Sequence, residues 1–121
     1  MKENAVYEKS LAFAVRIVNL YKYLRFEKKE YVMSDQILRC GTSIGANLAE
    51  ADYAMTQKDF LSKTYISLKE CSETGYWLTL LLRTGYIKQK EYDSLNSERI
   101  EIHKLLTAIT KSVKAKVTID K

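Results

Sequence analysis

Five polar side chains in the segment QILRCGTSIGANLAEA, residues 36–51, are spaced to share one face of a helix. Gln36, Ser43, Asn47 and Glu50 follow one another at steps of seven, four and three, and Arg39 lies at the edge of the same arc. Three chemistries are open to such a ladder: a structural hydrogen-bond network to a neighbouring helix or subunit, a binding site for a ligand or nucleic acid, and catalysis. The first asks for least, because polar groups drawn into a helix interface must find partners. Catalysis has the least support, since no nucleophile–base pair accompanies the ladder.

Other reactive residue types are sparse. His103 is the only histidine, so a Ser or Cys nucleophile anywhere would depend on one candidate base. Di-iron bundles bind metal through two Glu-x-x-His pairs, and here Ile100 stands three residues before His103. There is no glycine-rich phosphate loop and no Cys or His pair at zinc spacing. No metal, no cofactor and no enzymatic activity is therefore expected. Cys40 and Cys71 fall in apolar helical patterns and are expected as buried free thiols. Trp77 and the nine tyrosines could stack on bases, although such residues more often fill cores and interfaces.

Charge is more suggestive. The formal net charge is +5, which permits nucleic-acid binding without demanding it. From residue 104 to the end come Lys104, Lys111, Lys114, Lys116 and Lys121, with the single acid Asp120. The first four are the candidate contacts to a phosphate backbone; the alternative is a solvated face with a frayed tail. Arg16, Lys22, Arg25, Lys28 and Lys29 add charge on the first helix and its loop. In an antiparallel bundle Lys2 and Lys9 are expected to join the C-terminal patch.

The elements that position these groups follow from composition and periodicity. The chain has 121 residues, 46% of them hydrophobic, with no proline and four glycines, which suits one all-α domain with long helices. No apolar run reaches eighteen residues and the start lacks a signal-peptide core, so a cytoplasmic location away from membranes is expected. Apolar residues recur at helical spacing over about 4–26, 34–54, 57–83 and 89–117. Ser34 or Asp35 is the expected cap of the second helix, Thr56 with Asp59 of the third, and Gly85 the stop after it. The short connections predict an antiparallel up-down-up-down four-helix bundle.

Two features exceed what a lone bundle needs. The first helix carries two apolar stripes, Tyr7, Leu11, Ala14, Val18, Tyr21 and Val6, Phe13, Ile17, Leu20, Leu24. Together they span about 220°, wider than a one-sided helix requires, which predicts self-association. The second helix places Gly41 and Gly45 in an uncharged run, each at a cost of about 1 kcal/mol in helix propensity. Folding the third helix back on the second sets Gly45 opposite Ser67, and Cys40 and Gly41 opposite Cys71, a close small-on-small contact.

The segment Gln36–Glu50 also resembles the helix-two signature of a small four-helix bundle family, the proteins encoded in intervening sequences of bacterial large-subunit ribosomal RNA genes. Gln36, Ile37, Arg39, Cys40, Gly41, Ser43, Ile44, Ala46, Asn47, Leu48, Ala49 and Glu50 carry the match. Many members have proline after the Ser-Ile pair, where this chain has Gly45. A second block, KDFLSKTYISLKECSETGYWLTLLL, is similar through Asp59, Phe60, Lys63, Leu68, Lys69, Glu70, Glu73, Thr74, Tyr76, Trp77 and Leu78. The resemblance spans most of the chain and implies the bundle fold. It also implies ring-like pentamers, and a related branch comprises the basic, RNA-binding accessory proteins of diversity-generating retroelements. The expected function is a non-enzymatic homo-oligomeric scaffold, with five subunits preferred, that binds structured RNA or a nucleoprotein partner. The alternative is a purely structural or protein-interaction oligomer with no nucleic-acid role.

Overall fold

A computed structural model of the chain describes residues 2–119, with side chains over 5–118. Four helices account for nearly all of it: α1 (Lys2–Lys22), α2 (Val32–Ala51), α3 (Gln57–Arg83) and α4 (Gln89–Ile119). Sequential neighbours pack against each other and α4 returns to α1, closing an antiparallel four-helix bundle. The core runs down its axis through Phe13, Ile17 and Leu24 of α1, Ile37 and Ile44 of α2, Leu78 and Leu81 of α3, and Ile102 and Leu106 of α4.

The first helix does not continue as α-helix to residue 26. A π-helical turn, Tyr23–Glu27, follows α1, with Lys28 N–H donating to the Tyr23 carbonyl at 3.2 Å. The wider turn keeps Leu24 in the core and leaves Phe26 63% exposed. Lys29 then takes a left-handed conformation, φ 56°, and reverses the chain.

Neither Ser34 nor Asp35 caps α2. The helix starts earlier, at Val32, and the Glu30 carboxylate does the capping, accepting from Ser34 N–H at 2.8 Å and Val32 N–H at 3.2 Å. The Ser34 hydroxyl donates back to the Glu30 carbonyl at 2.7 Å. At the other end α2 stops at Ala51 rather than Ala54, and Met55 beyond it is 90% exposed. Thr56 caps α3 by accepting from Asp59 N–H at 3.0 Å, and Gly85, φ 83°, follows the end of α3.

The glycines of α2 face α1, not α3. A β-carbon on Gly41 would meet Ile17, and one on Gly45 would meet Ser10. The reversal comes from an angular offset within α2: the positions facing α3 are Cys40 and Ile44, next to the glycines in sequence. Ser67 does reach α2, donating to the Ile44 carbonyl at 2.7 Å. Cys71 instead faces α4, its thiol 3.4 Å from the Arg99 carbonyl. Small residues thus serve two seams. Gly41, Gly45 and Ser10 bring α1 and α2 together, and Gly75 makes room for the Arg99 guanidinium of α4. The uncharged run of α2 lies between two helix contacts, which explains its composition.

Candidate nucleic-acid interface

The polar ladder of α2 is a bridge to α3. Arg39 Nη1 donates to Glu70 Oε2 at 3.2 Å, and Nη2 donates to Glu73 and, at 3.3 Å, to Gln36 Oε1. Glu50 accepts from Lys63 Nζ at 2.7 Å. Ser43 and Asn47 bond within α2, to the carbonyls of Arg39 and Ser43. Gln36, Ser43 and Asn47 are half-buried, while Arg39 and Glu50 remain exposed at the rim. Arg39 and Glu50 therefore cross the α2–α3 seam, while Ser43 and Asn47 are satisfied by carbonyls of their own helix.

Beside this seam the two thiols are closed off. Cys40 and Cys71 are free and fully buried. Burial pushes both thiols up, Cys71 to about 11 with Arg99 opposing, and Cys40 against a hydrogen bond from Thr74. Neither is poised as a nucleophile. Among the described residues the His103 ring has one hydrogen-bond contact, the Ser72 hydroxyl at 3.3 Å from Nε2.

The lysines of α4 do not form one patch. Lys104 and Lys111, seven residues apart, lie on nearly the same line of the helix, and Lys114 lies about 60° from Lys111. Lys116 is about 140° round from Lys111. It borders a hollow between α4 and Ala5 of α1 instead. All four side chains are exposed. Lys9 adds no free charge, because it pairs with Glu101 of α4 at 2.5 Å. Arg16 pairs with Glu98 at 2.8 Å, and Arg25 lies 3.6 Å from Asp35. The expectations for Lys2 and Lys121 concern side chains outside the described range.

These pairs sort the charge of the bundle. The acids Glu98 and Glu101 of α4 turn to α1, where Arg16 and Lys9 meet them. The acids Glu70 and Glu73 of α3 turn to α2, where Arg39 meets them. What remains on the outer side of α3 and α4 is mostly basic, with the exposed Asp93 of α4 on the Lys104–Lys111 line. Lys58, Lys69 and Arg83 of α3 and Lys104, Lys111 and Lys114 of α4 are exposed and make no ion pair among the described residues. The α3 cations had no place in the sequence reading. Their helical spacing was visible, but which side of α3 stays open depends on how the bundle closes.

A family model described as 23S rRNA-intervening sequence protein matches residues 2–108. The chain belongs to the 23S rRNA-intervening sequence protein family. A crystal structure of a protein of unknown function from the S23 ribosomal protein family of Bacteroides thetaiotaomicron is similar, with a TM-score of 0.90 and 59% sequence identity. The match covers 92% of this chain and 99% of that one. No curated protein matches the sequence. The intervening-sequence signature on α2 has a physical meaning in this member: Arg39 and Glu50 bridge to α3, Cys40 meets Thr74 of α3, and Gly41 lets α1 approach.

Among the described residues no helix is long and apolar enough to cross a membrane.

Proposed function

We propose that this intervening-sequence family protein is a non-enzymatic, homo-oligomeric cytoplasmic scaffold that binds structured RNA or a nucleoprotein partner through its basic surface. The supporting observation is the sorting of charge, which pairs Glu70, Glu73, Glu98 and Glu101 with cations of α1 and α2 and leaves six cations on the outer side of α3 and α4 without an ion pair among the described residues. Phosphate backbones complement such a surface, and an oligomer repeats it on one body. Self-association is supported by the outward stripe of α1, where Leu11 is 47% and Val15 56% exposed. Five subunits is the number that the family resemblance implies. The second reading, a protein-interaction oligomer without RNA, draws support from Tyr53, 87% exposed, and Met55 at the tip between α2 and α3.

The test is a fluorescence titration of labelled structured RNA at several salt concentrations. Log affinity should fall linearly with log salt as counterions are released. Changing Lys104, Lys111 and Lys114 together to glutamine should weaken binding and flatten that slope by about 2–3 per chain engaged. Lys116→Gln, on the other side of α4, should change it less. Absence of binding at low salt, or equal binding by the triple variant, favours the second reading.

A further inference from the structure

The outer side of α3 carries an alternation that phosphate binding alone does not call for. Lys58, Tyr65, Lys69, Tyr76 and Arg83 follow at steps of seven, four, seven and seven, and all five are exposed. At about 100° per residue they fall within an arc of about 40°, a single line down the helix. Tyr65 is 45% and Tyr76 61% exposed, and the two are separated by about 16 Å along the axis. We propose that this face of α3 is a stacking platform for unpaired nucleotides, with bases laid on Tyr65 and Tyr76 and phosphates held by Lys58, Lys69 and Arg83.

Three observations support the choice of occupant. The charge is complementary to a phosphate chain, because the acids Glu70 and Glu73 are drawn toward α2 by Arg39, leaving the line itself without a carboxylate. The Tyr76 ring is held in place. Tyr76 packs edge-on against Trp77, centroids 5.0 Å apart at 79°, and the indole N–H donates to Glu73 Oε2 at 2.9 Å. Glu73 is itself bound by Arg39, so the α2 ladder anchors the ring through two intermediates. Finally, an open hollow of about 360 Å3 adjoins Tyr65, bordered by Lys58, Ile66 and Lys69. Aromatic rings interleaved with cations hold single strands through base stacking and charge together. A duplex keeps its base faces stacked inside, so the tyrosine rings would have nothing to stack on. An acidic peptide would likewise engage the cations and leave the rings unused.

The inference rests on the RNA-binding reading above and adds to it the class of RNA: loops, bulges or single-stranded ends. The experiment compares anisotropy titrations of labelled oligouridine and of a fully paired RNA duplex of equal length, using the full chain. Wild type should prefer the single strand. The double variant Tyr65→Leu, Tyr76→Leu should lose about tenfold or more in single-strand affinity, with the salt slope and duplex binding unchanged. The double variant Lys58→Gln, Lys69→Gln should weaken both RNAs and flatten the slope. Matching circular dichroism and urea midpoints confirm that the variants are folded. Single-strand binding that survives the loss of both tyrosines overturns the proposal. So does equal affinity for both RNAs, although that result leaves general RNA binding standing. No binding of either RNA at low salt overturns both. Capture of an acidic protein that the tyrosine variant loses, with single-strand affinity unaltered, reassigns the face and also overturns it.

Discussion

A β-carbon built on Gly41 would lie 2.8 Å from Cγ2 of Ile17, a branched, fully buried side chain that has nowhere to retreat. One built on Gly45 would lie 3.6 Å from Cβ of Ser10, in ordinary contact. Ser10 is itself buried with no hydrogen-bond partner for its hydroxyl among the described residues, so at this seam it contributes small size. Gly41→Ala should therefore lose about 1–3 kcal/mol through overpacking. Gly45→Ala should be neutral or gain up to about 1 kcal/mol in helix propensity. Urea midpoints of the two variants check this; equal midpoints would mean that Gly41 does not set the approach of α1 to α2. The buried thiols make a second prediction. Folded Cys71 keeps its proton to about 11, whereas an ordinary thiol releases it near 9.0. Between those values the unfolded chain binds fewer protons than the folded one, so stability falls as pH rises, by about 1.4 kcal/mol per pH unit for that group. Below pH 9 the contribution is complete. Urea unfolding at pH 8, 9 and 10 should show the decline, and Cys71→Ala should make it shallower whatever its effect at pH 8.

Among the elements, α2 depends most on a residue outside itself. Its first turn has no capping side chain of its own, and the Glu30 carboxylate supplies two acceptors from the preceding loop. The π-helical turn and the left-handed Lys29 bring Glu30 to that position. Glu30→Ala should cost about 0.5–2 kcal/mol in the urea midpoint, and Glu30→Gln, which keeps one acceptor oxygen, should cost less. Equal costs would show that a single neutral acceptor does no capping here and that both oxygens or the charge are required. A Ser or Asp at the start of an apolar run is the usual sequence sign of a helix start, and Ser34 and Asp35 fit it. Glu30 won because a long carboxylate can reach forward over the first turn to two N–H groups, which is invisible until the loop has its shape. Thr56 and Gly85 were legible because their roles are local: one hydroxyl on an N–H three residues on, and one positive φ.

At the scale of the whole molecule the bundle has two different exteriors. α1 presents Leu11 and Val15 outward, while the outer side of α3 and α4 is mostly basic. The proposed assembly would bury the first and display the second. Changing Leu11 and Val15 together to glutamate should therefore dissociate the oligomer without unfolding the chain, since both side chains already tolerate solvent in the bundle. Sedimentation should show wild type well above 14.0 kDa and the variant near that mass, with circular dichroism unchanged. A wild type that sediments as a clean monomer would remove the oligomer from the proposal.

Local order sets what the sequence by itself determined about this protein. Helical periodicity identified the four helices, the buried stripe Val6, Phe13, Ile17, Leu20 and Leu24, and the shared face of the polar ladder, because each depends only on spacing along one helix. The two signature segments carried the family for the same reason. The tertiary structure decided which neighbour each face met. A step of one residue turns a helix by about 100°, so Gly41 and Cys40 go to different helices, as do Cys71 and Thr74. That rotation sent the glycines to α1 and separated Lys116 from Lys104 and Lys111. Likewise, which cations remain free was decided only when Arg39, Lys9 and Arg16 met carboxylates from distant parts of the chain. An ion pair between helices is fixed by how they pack, and no spacing within either helix records it.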